Sequence, residues 1–220
     1  MKESTSREKV LKAIRDALVN PMAPPYVDED FSDAIYTRPN SEYDEVTFAE
    51  ALAKVGGQFV YSSSLEEFAG NFKEFLSGQV SQNLHCYEDV LQRLLNDNGI
   101  FCFNAPDEYK DCEIGISTCE FLVARLGSIM VSSRQGCGRK GFFWPPLHIV
   151  VAWKGQLVYD LRDALRAVKK KYSDSLMPSL ITMITGPSRT ADIEKTLVLG
   201  AHGPSRLVVF FIDQPLESSQ

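Results

Sequence analysis

The feature that most constrains the fold is a set of short, unbroken apolar runs, with Leu207-Val-Val-Phe-Phe-Ile212 the plainest of them. A strand with one face in water alternates apolar and polar residues, so a run without a polar break has to be buried on both faces. Leu147 to Ala152 and Ile100 to Phe103 read the same way, Gln58 to Tyr61 and Leu180 to Ile184 supply two further strands, and helical patterns separate these runs. Alternation of this kind predicts an α/β protein with a mainly parallel sheet covered on both faces. In the middle of the chain, Phe121 to Ala124 and Ser128 to Val131 flank Arg125-Leu126-Gly127. That pattern predicts a β-hairpin inserted into the α/β run.

The helices carry their own start signals. Thr5-x-x-Glu8 is a capping box, as is Ser64-x-x-Glu67. The first opens a helix with Val10, Leu11, Ile14 and Leu18 on one face, and the second opens one with Phe68, Phe72, Phe75 and Leu76 inward. Residues 47–55 and 88–95 predict two shorter helices. A further helix over Asp160 to Tyr172 turns Leu161, Leu165 and Val168 inward and closes on Lys169-Lys170-Lys171, which complements the negative end of its dipole. Between the first helix and Thr47, prolines 21, 24, 25 and 39 alternate with acidic residues, a composition that reads as an extended arm. The expected organisation is a helix and arm over 1–46, an α/β domain over 47–214 and a disordered tail over 215–220. The arm suggests packing on a second copy of the chain.

Charge and cysteine content exclude several function classes. With 23 basic residues against 29 acidic ones the net charge is −6, which disfavours nucleic-acid and anionic-membrane surfaces. No run approaches the roughly 20 apolar residues of a membrane helix, and the charged stretch Met1 to Glu8 does not read as a secretory leader. The five cysteines include no C-x-x-C pair, so neither a disulfide framework nor a zinc or iron–sulfur site is expected, and free thiols in the cytoplasm are.

The segment most suggestive of chemistry is Thr185-Gly186-Pro187-Ser188-Arg189-Thr190-Ala191-Asp192-Ile193-Glu194, which follows a strand and reads as the opening of a helical turn. Gly186 permits close backbone approach, Ser188 and Thr190 offer hydroxyls, and Arg189 offers a planar cation. Together these suit a carboxylate or phosphate. The same residues also fit a Gly-Pro turn with Ser188 or Thr190 as N-cap and Asp192 and Glu194 favouring the helix dipole. His202, between Gly200 and Gly203, is a candidate acid or base, and so is His148 at the head of a strand. Gly136, Arg139 and Lys140 belong to a glycine-rich basic loop that fits a lid, with Cys137 beside cations that would lower its pKa. Glu120, Arg125 and Asp160 are candidates whose roles depend on the fold.

These residues carry a resemblance. Ile184 to Glu194, Leu197-Val-Leu-Gly-Ala-His-Gly-Pro204 and Leu207 to Asp213 resemble the signature of the LUD-domain family, and Pro145 to Val151 resembles a second block of it. The resemblance extends over roughly residues 47–213. It implies a three-layer α/β/α fold like those of ribose-5-phosphate isomerase, glucosamine-6-phosphate deaminase and coenzyme A transferases. It also implies a cytoplasmic role in oxidising L-lactate to pyruvate, beside iron–sulfur proteins that carry the clusters, with no cofactor in this chain. The family's usual Ala-Glu-Thr-Gly-Thr/Ser is here Ala124-Arg125-Leu126-Gly127-Ser128, which lacks the carboxylate and hydroxyl that proton transfer there would need. The expected function is an accessory or anion-binding subunit of such a system. The alternative is an enzyme acting on a small phosphorylated or carboxylated metabolite, which would bring Arg189, His202 and His148 to one pocket.

Overall fold

The structure, a computed structural model, describes residues 5–19, 43–81, 83–104, 112–193 and 196–216, with the side chains at 17, 18, 139 and 191–198 outside that set. Contacts divide the chain into two units, Met1–Asn40 and Ser41–Gln220. In the first, helix α1 (Ser6–Val19) opens on the expected capping box: the Thr5 amide donates to Glu8 Oε2 at 2.8 Å and the Glu8 amide to Thr5 Oγ1 at 3.3 Å. Its apolar residues Val10, Leu11 and Ile14 are exposed. The acidic arm lies outside the described residues up to position 42, as does the tail from 217.

The second unit is built on a five-stranded sheet. Its strands are β1 (Gln58–Ser62), β2 (Leu84–Cys86), β3 (Ile114–Ser117), β6 (Leu147–Trp153) and β11 (Arg206–Ile212), in the order β1-β11-β6-β3-β2. Every neighbouring pair is parallel, and Val209 sits opposite both Phe59 and Val150. The unbroken apolar runs therefore fill the two central strands, where burial on both faces requires them. From β11, Val208, Phe210 and Ile212 pack against α3 (Leu65–Ser77) and α4 (Asp89–Asp97) through Phe68, Phe72, Leu91 and Leu95. Leu207, Val209 and Phe211 face the other way, onto α2 (Asp44–Lys54), α5 (Gly138–Phe143) and a second sheet.

That second sheet grows from the expected hairpin, β4 (Phe121–Val123) and β5 (Ser128–Ser132), joined by a 3-10 turn and Gly127 at φ +58°. β7 (Leu157–Val158) adds parallel to β4 and β8 (Ile181–Ile184) antiparallel to β5, while α6 (Leu161–Lys171) covers the outer face through Ala164 and Val168. Leu165, expected inward, is 49% exposed.

Two expectations are corrected. Ile100 to Phe103 is not a strand: it makes one bridge, His85 to Phe103, and Phe101 is 73% exposed. The edge place in the sheet goes to Leu84–Cys86, which is buried throughout and too short to stand out as an apolar run. Residues 189–199 do not begin a helix but form the antiparallel hairpin β9 (Arg189–Ile193) and β10 (Thr196–Leu199). The β-branched Thr190, Ile193, Thr196 and Val198 favour that outcome, since they lose rotamer freedom in a helix and pack well on a pleated surface.

Candidate functional site

The parallel sheet has two edges, and a cleft opens at each. The cleft at the amino edge, where β6 and β11 begin, has a volume of about 770 Å3 and is lined by Lys140, Phe143, Trp144, Pro146, His202 and Ser205 among others. A smaller recess of about 220 Å3 adjoins it and brings in Thr185, Gly186 and Ser188, with Phe143, His202 and Gly203 common to both. Five of the expected site residues, Lys140, Thr185, Gly186, Ser188 and His202, thus meet here. The Ser188 amide donates to the Pro204 carbonyl at 2.8 Å and its own carbonyl accepts from Gly200 at 3.0 Å, which pins the two glycine-containing loops together.

The other expected residues do not join them. The Arg189 guanidinium turns to the Val55 carbonyl, against Gly56, where a Cβ would stand 2.6 Å from Arg189 Nη2. Gly186, at φ +77°, presses its backbone on the same Val55 carbonyl. The Gly186 to Arg189 segment therefore clasps the turn between α2 and β1, a close approach that only glycine permits at 186. Thr190 lies in β9, as does Asp192, whose side chain is outside the described set together with that of Arg139 and all of Glu194. His148 is fully buried in β6, its Nε2 is 2.8 Å from Ser117 Oγ, and its Nδ1 has no partner among the described residues. Burial lowers its pKa to about 4, so the ring is neutral at ordinary pH. Gly136 belongs to the opposite edge, and Lys140 is in α5, so the glycine-rich stretch is a turn and a short helix rather than a free loop. Cys137 is buried, which pushes its thiol pKa up and not down as its cationic neighbours suggest.

At the carboxyl edge, where open parallel sheets usually bind ligands, lies a pocket of about 420 Å3. Glu88 enters it just after β2, Thr118 and Glu120 just after β3, Gln156 after β6, Gln135 after β5, and Lys171 and Tyr172 from the end of α6. Glu88 is clamped by Thr118, whose amide donates to Oε1 at 3.0 Å and whose hydroxyl donates to Oε2. Burial nonetheless holds the Glu88 pKa above the usual carboxylate range, against the opposing pull of those two bonds. Glu120 is almost fully buried, and burial alone would raise it too. It accepts instead from Lys171 Nζ at 2.7 Å, Ser132 Oγ at 2.6 Å and the Tyr172 hydroxyl at 2.7 Å, and these bonds leave its pKa below the usual range. One pocket so holds two carboxyl groups pushed in opposite directions, the pattern that separates a proton-carrying group from a fixed anion. The side-chain amides of Gln135 and Gln156 brace it by donating to the carbonyls of Thr118 and Cys119.

Of this set, sequence reasoning reached Glu120, read Lys171 as a partner of the helix dipole, and missed Glu88, Thr118, Gln135, Gln156 and Tyr172. The available signal was position: Glu88 and Thr118 each lie within two residues of the end of a short strand of the parallel sheet. Arg125, where the family resemblance leads one to expect a carboxylate, pairs with Asp160 at 2.7 Å, and Asp160 caps α6 by accepting from the Arg162 amide. That corner is a structural joint. Among the described residues, no three His, Cys, Asp or Glu side chains converge to hold a metal ion, and no helix is long and apolar enough to cross a membrane.

Known proteins share this architecture. A DUF162 family protein from Deinococcus radiodurans superposes with a TM-score of 0.58 at 18% identity, covering 79% of this chain and 99% of its own, which shows a common fold. Segments of lactate utilization protein C are similar in sequence: 33% identical over 101 residues in Shouchella clausii, 37% over 95 in Bacillus pumilus and 30% over 104 in Bacillus subtilis. Each alignment spans under half of either chain, between 43% and 47% of this one and between 40% and 44% of the relative. The pattern of the LUD domain matches residues 7–212, and on that match the chain belongs to the LUD domain family.

Proposed function

We propose that this chain is a component of an L-lactate utilisation system, the oxidation of L-lactate to pyruvate, and works beside separate iron–sulfur proteins as an accessory, anion-binding subunit in the cytoplasm. The observation that carries the reading is the similarity to lactate utilization protein C in several bacteria, at 30–37% identity over about a hundred residues. The division of labour follows from chemistry. Oxidation of a hydroxy acid releases two electrons and two protons. This chain offers acid–base groups for the protons, and the electrons are assigned to clusters on its partners. The exposed apolar stripe of α1 is the surface assigned to a protein partner or a second copy.

Anaerobic co-purification of the tagged chain from its host grown on lactate tests the reading. Iron–sulfur proteins recovered in stoichiometric amount, with lactate-dependent electron transfer by the complex, are expected. Growth on lactate unaffected by deletion of the chain refutes it. The enzyme alternative that joins Arg189, His202 and His148 in one pocket receives no support from the geometry, because the three side chains point to three different places.

A further inference from the structure

We propose that the carboxyl-edge pocket binds a small organic monocarboxylate, with Glu88 presenting a proton to the ligand's anionic oxygen and Lys171 and Arg134 supplying the positive field. The cavity, about 420 Å3, has room for a ligand of this size with accompanying water. Its polar walls are preorganised. Thr118 fixes both oxygens of Glu88, and Gln135 in turn fixes Thr118 through its carbonyl and, at 3.1 Å, through its hydroxyl. Lys171 is anchored on Glu120 while its side chain stays 53% exposed, which leaves donor capacity for a ligand. Arg134 lines the same pocket with one nitrogen donating to the Leu176 carbonyl at 2.7 Å. The amino end of α4 also opens here through Asp89 and Val90, and a helix amino terminus favours an anion.

The charge balance makes Glu88 the deciding group. Asp89 follows it at the start of α4; around it, Cys86 ends β2, Tyr87 lies between that strand and Glu88, and Cys137 stands before α5. From the segment after β3 come Cys119 and Glu120, from that after β5 Arg134, and from α6 Lys171 and Tyr172. Burial raises the Cys119 and Cys137 thiols, and it raises the Tyr172 phenol with the help of Glu120, so these stay neutral. Asp89 and Glu120 then balance Arg134 and Lys171. A neutral Glu88 admits an anion and donates to it, whereas an ionised Glu88 repels it. Affinity is therefore constant at low pH and falls towards tenfold per pH unit above the Glu88 pKa.

The choice of L-lactate and pyruvate as probes rests on the functional reading above; the preference for a carboxylate does not, so acetate serves as a third probe. The full chain is titrated with each between pH 5 and 8 while backbone amide NMR shifts are followed. Saturable shifts centred on Glu88, Thr118 and Gln135, with the predicted loss of affinity at high pH, are expected for at least one probe. Glu88→Gln should retain the low-pH affinity and lose the pH dependence. Shifts confined to Gly186, Ser188 and His202, or no saturable binding of any of the three, overturn the proposal, as does an unchanged pH slope in Glu88→Gln. The wild-type shift map decides even where that variant does not fold. Binding of acetate without lactate or pyruvate sustains the site and counts against the lactate reading, which the co-purification judges separately.

Discussion

Replacing Glu120 by glutamine isolates the fixed charge beneath the pocket. The Ser132 and Tyr172 hydroxyls both donate to Oε1, at 2.6 and 2.7 Å, so the amide oxygen of glutamine can keep both bonds, but as neutral ones. A hydrogen bond to a charged group contributes about 1.5–3 kcal/mol and a neutral one about 0.5–1.5, so the two together lose roughly 2 kcal/mol. On Oε2 the Lys171 ammonium at 2.7 Å would face an amide donor; because Lys171 is half exposed, water screens that loss to about 0.5 kcal/mol. Relief from burying a charge offsets part of the sum, leaving a destabilisation of about 2 kcal/mol, or about 4–8 °C in Tm for a unit of this size. The pH dependence has a definite sign. The folded pKa of Glu120 lies below its unfolded value, so its stabilisation is fully present above about pH 4.3 and is lost as pH falls through the folded pKa. Urea unfolding of Glu120→Gln and wild type, followed by the fluorescence of nearby Trp153, should show a gap at pH 7 that narrows in acid. A gap below about 0.5 kcal/mol at pH 7, or one that does not narrow on acidification, refutes this account of the site.

Phe210→Ala removes a ring 5.0, 5.5 and 5.8 Å from those of Phe72, Phe75 and Phe68, and should cost about 3–5 kcal/mol, read as a lower urea midpoint at unchanged slope. Tyr61 donates to Asp213 at 2.7 Å, and chiefly for that reason its pKa is raised to about 12. Ultraviolet titration should find a late-ionising tyrosine component that is lost in Tyr61→Phe; the stabilisation is present below about pH 10 and disappears as pH rises through 12. Arg189→Ala frees the Val55 carbonyl at the surface and should cost no more than about 1 kcal/mol, measured by thermal unfolding, while monocarboxylate binding stays unchanged.

How much of this was legible in the sequence depends on the range of the interaction. Ser64 caps α3 by accepting from the Glu67 amide at 3.2 Å, as its spacing predicts. The Glu67 carboxylate, however, reaches the amide and hydroxyl of Ser63 rather than the amide of Ser64, a one-residue difference that spacing does not resolve. The strands β6 and β11 announce themselves because both of their faces are buried. By contrast β2 and β3 are three and four residues long, and their place in the sheet comes from parallel neighbours rather than from their own composition.

Local determinants, the apolar runs and hydroxyl–carboxylate caps that act within a few residues, set most of the helices, the central strands and the α/β class. Direction and convergence belong to the assembled chain. The segment after β8 looks like a ligand loop at the carboxyl end of a strand, yet β8 pairs antiparallel with β5 in the second sheet, and its loop emerges at the amino edge of the first. Glu88, Thr118 and Lys171, far apart in sequence, meet only because parallel pairing aligns the ends of β2 and β3 and the last turn of α6 arrives above them. A carboxyl group's burial and partners, and hence its charge, are properties of that meeting, so no reading of its neighbours along the chain supplies them.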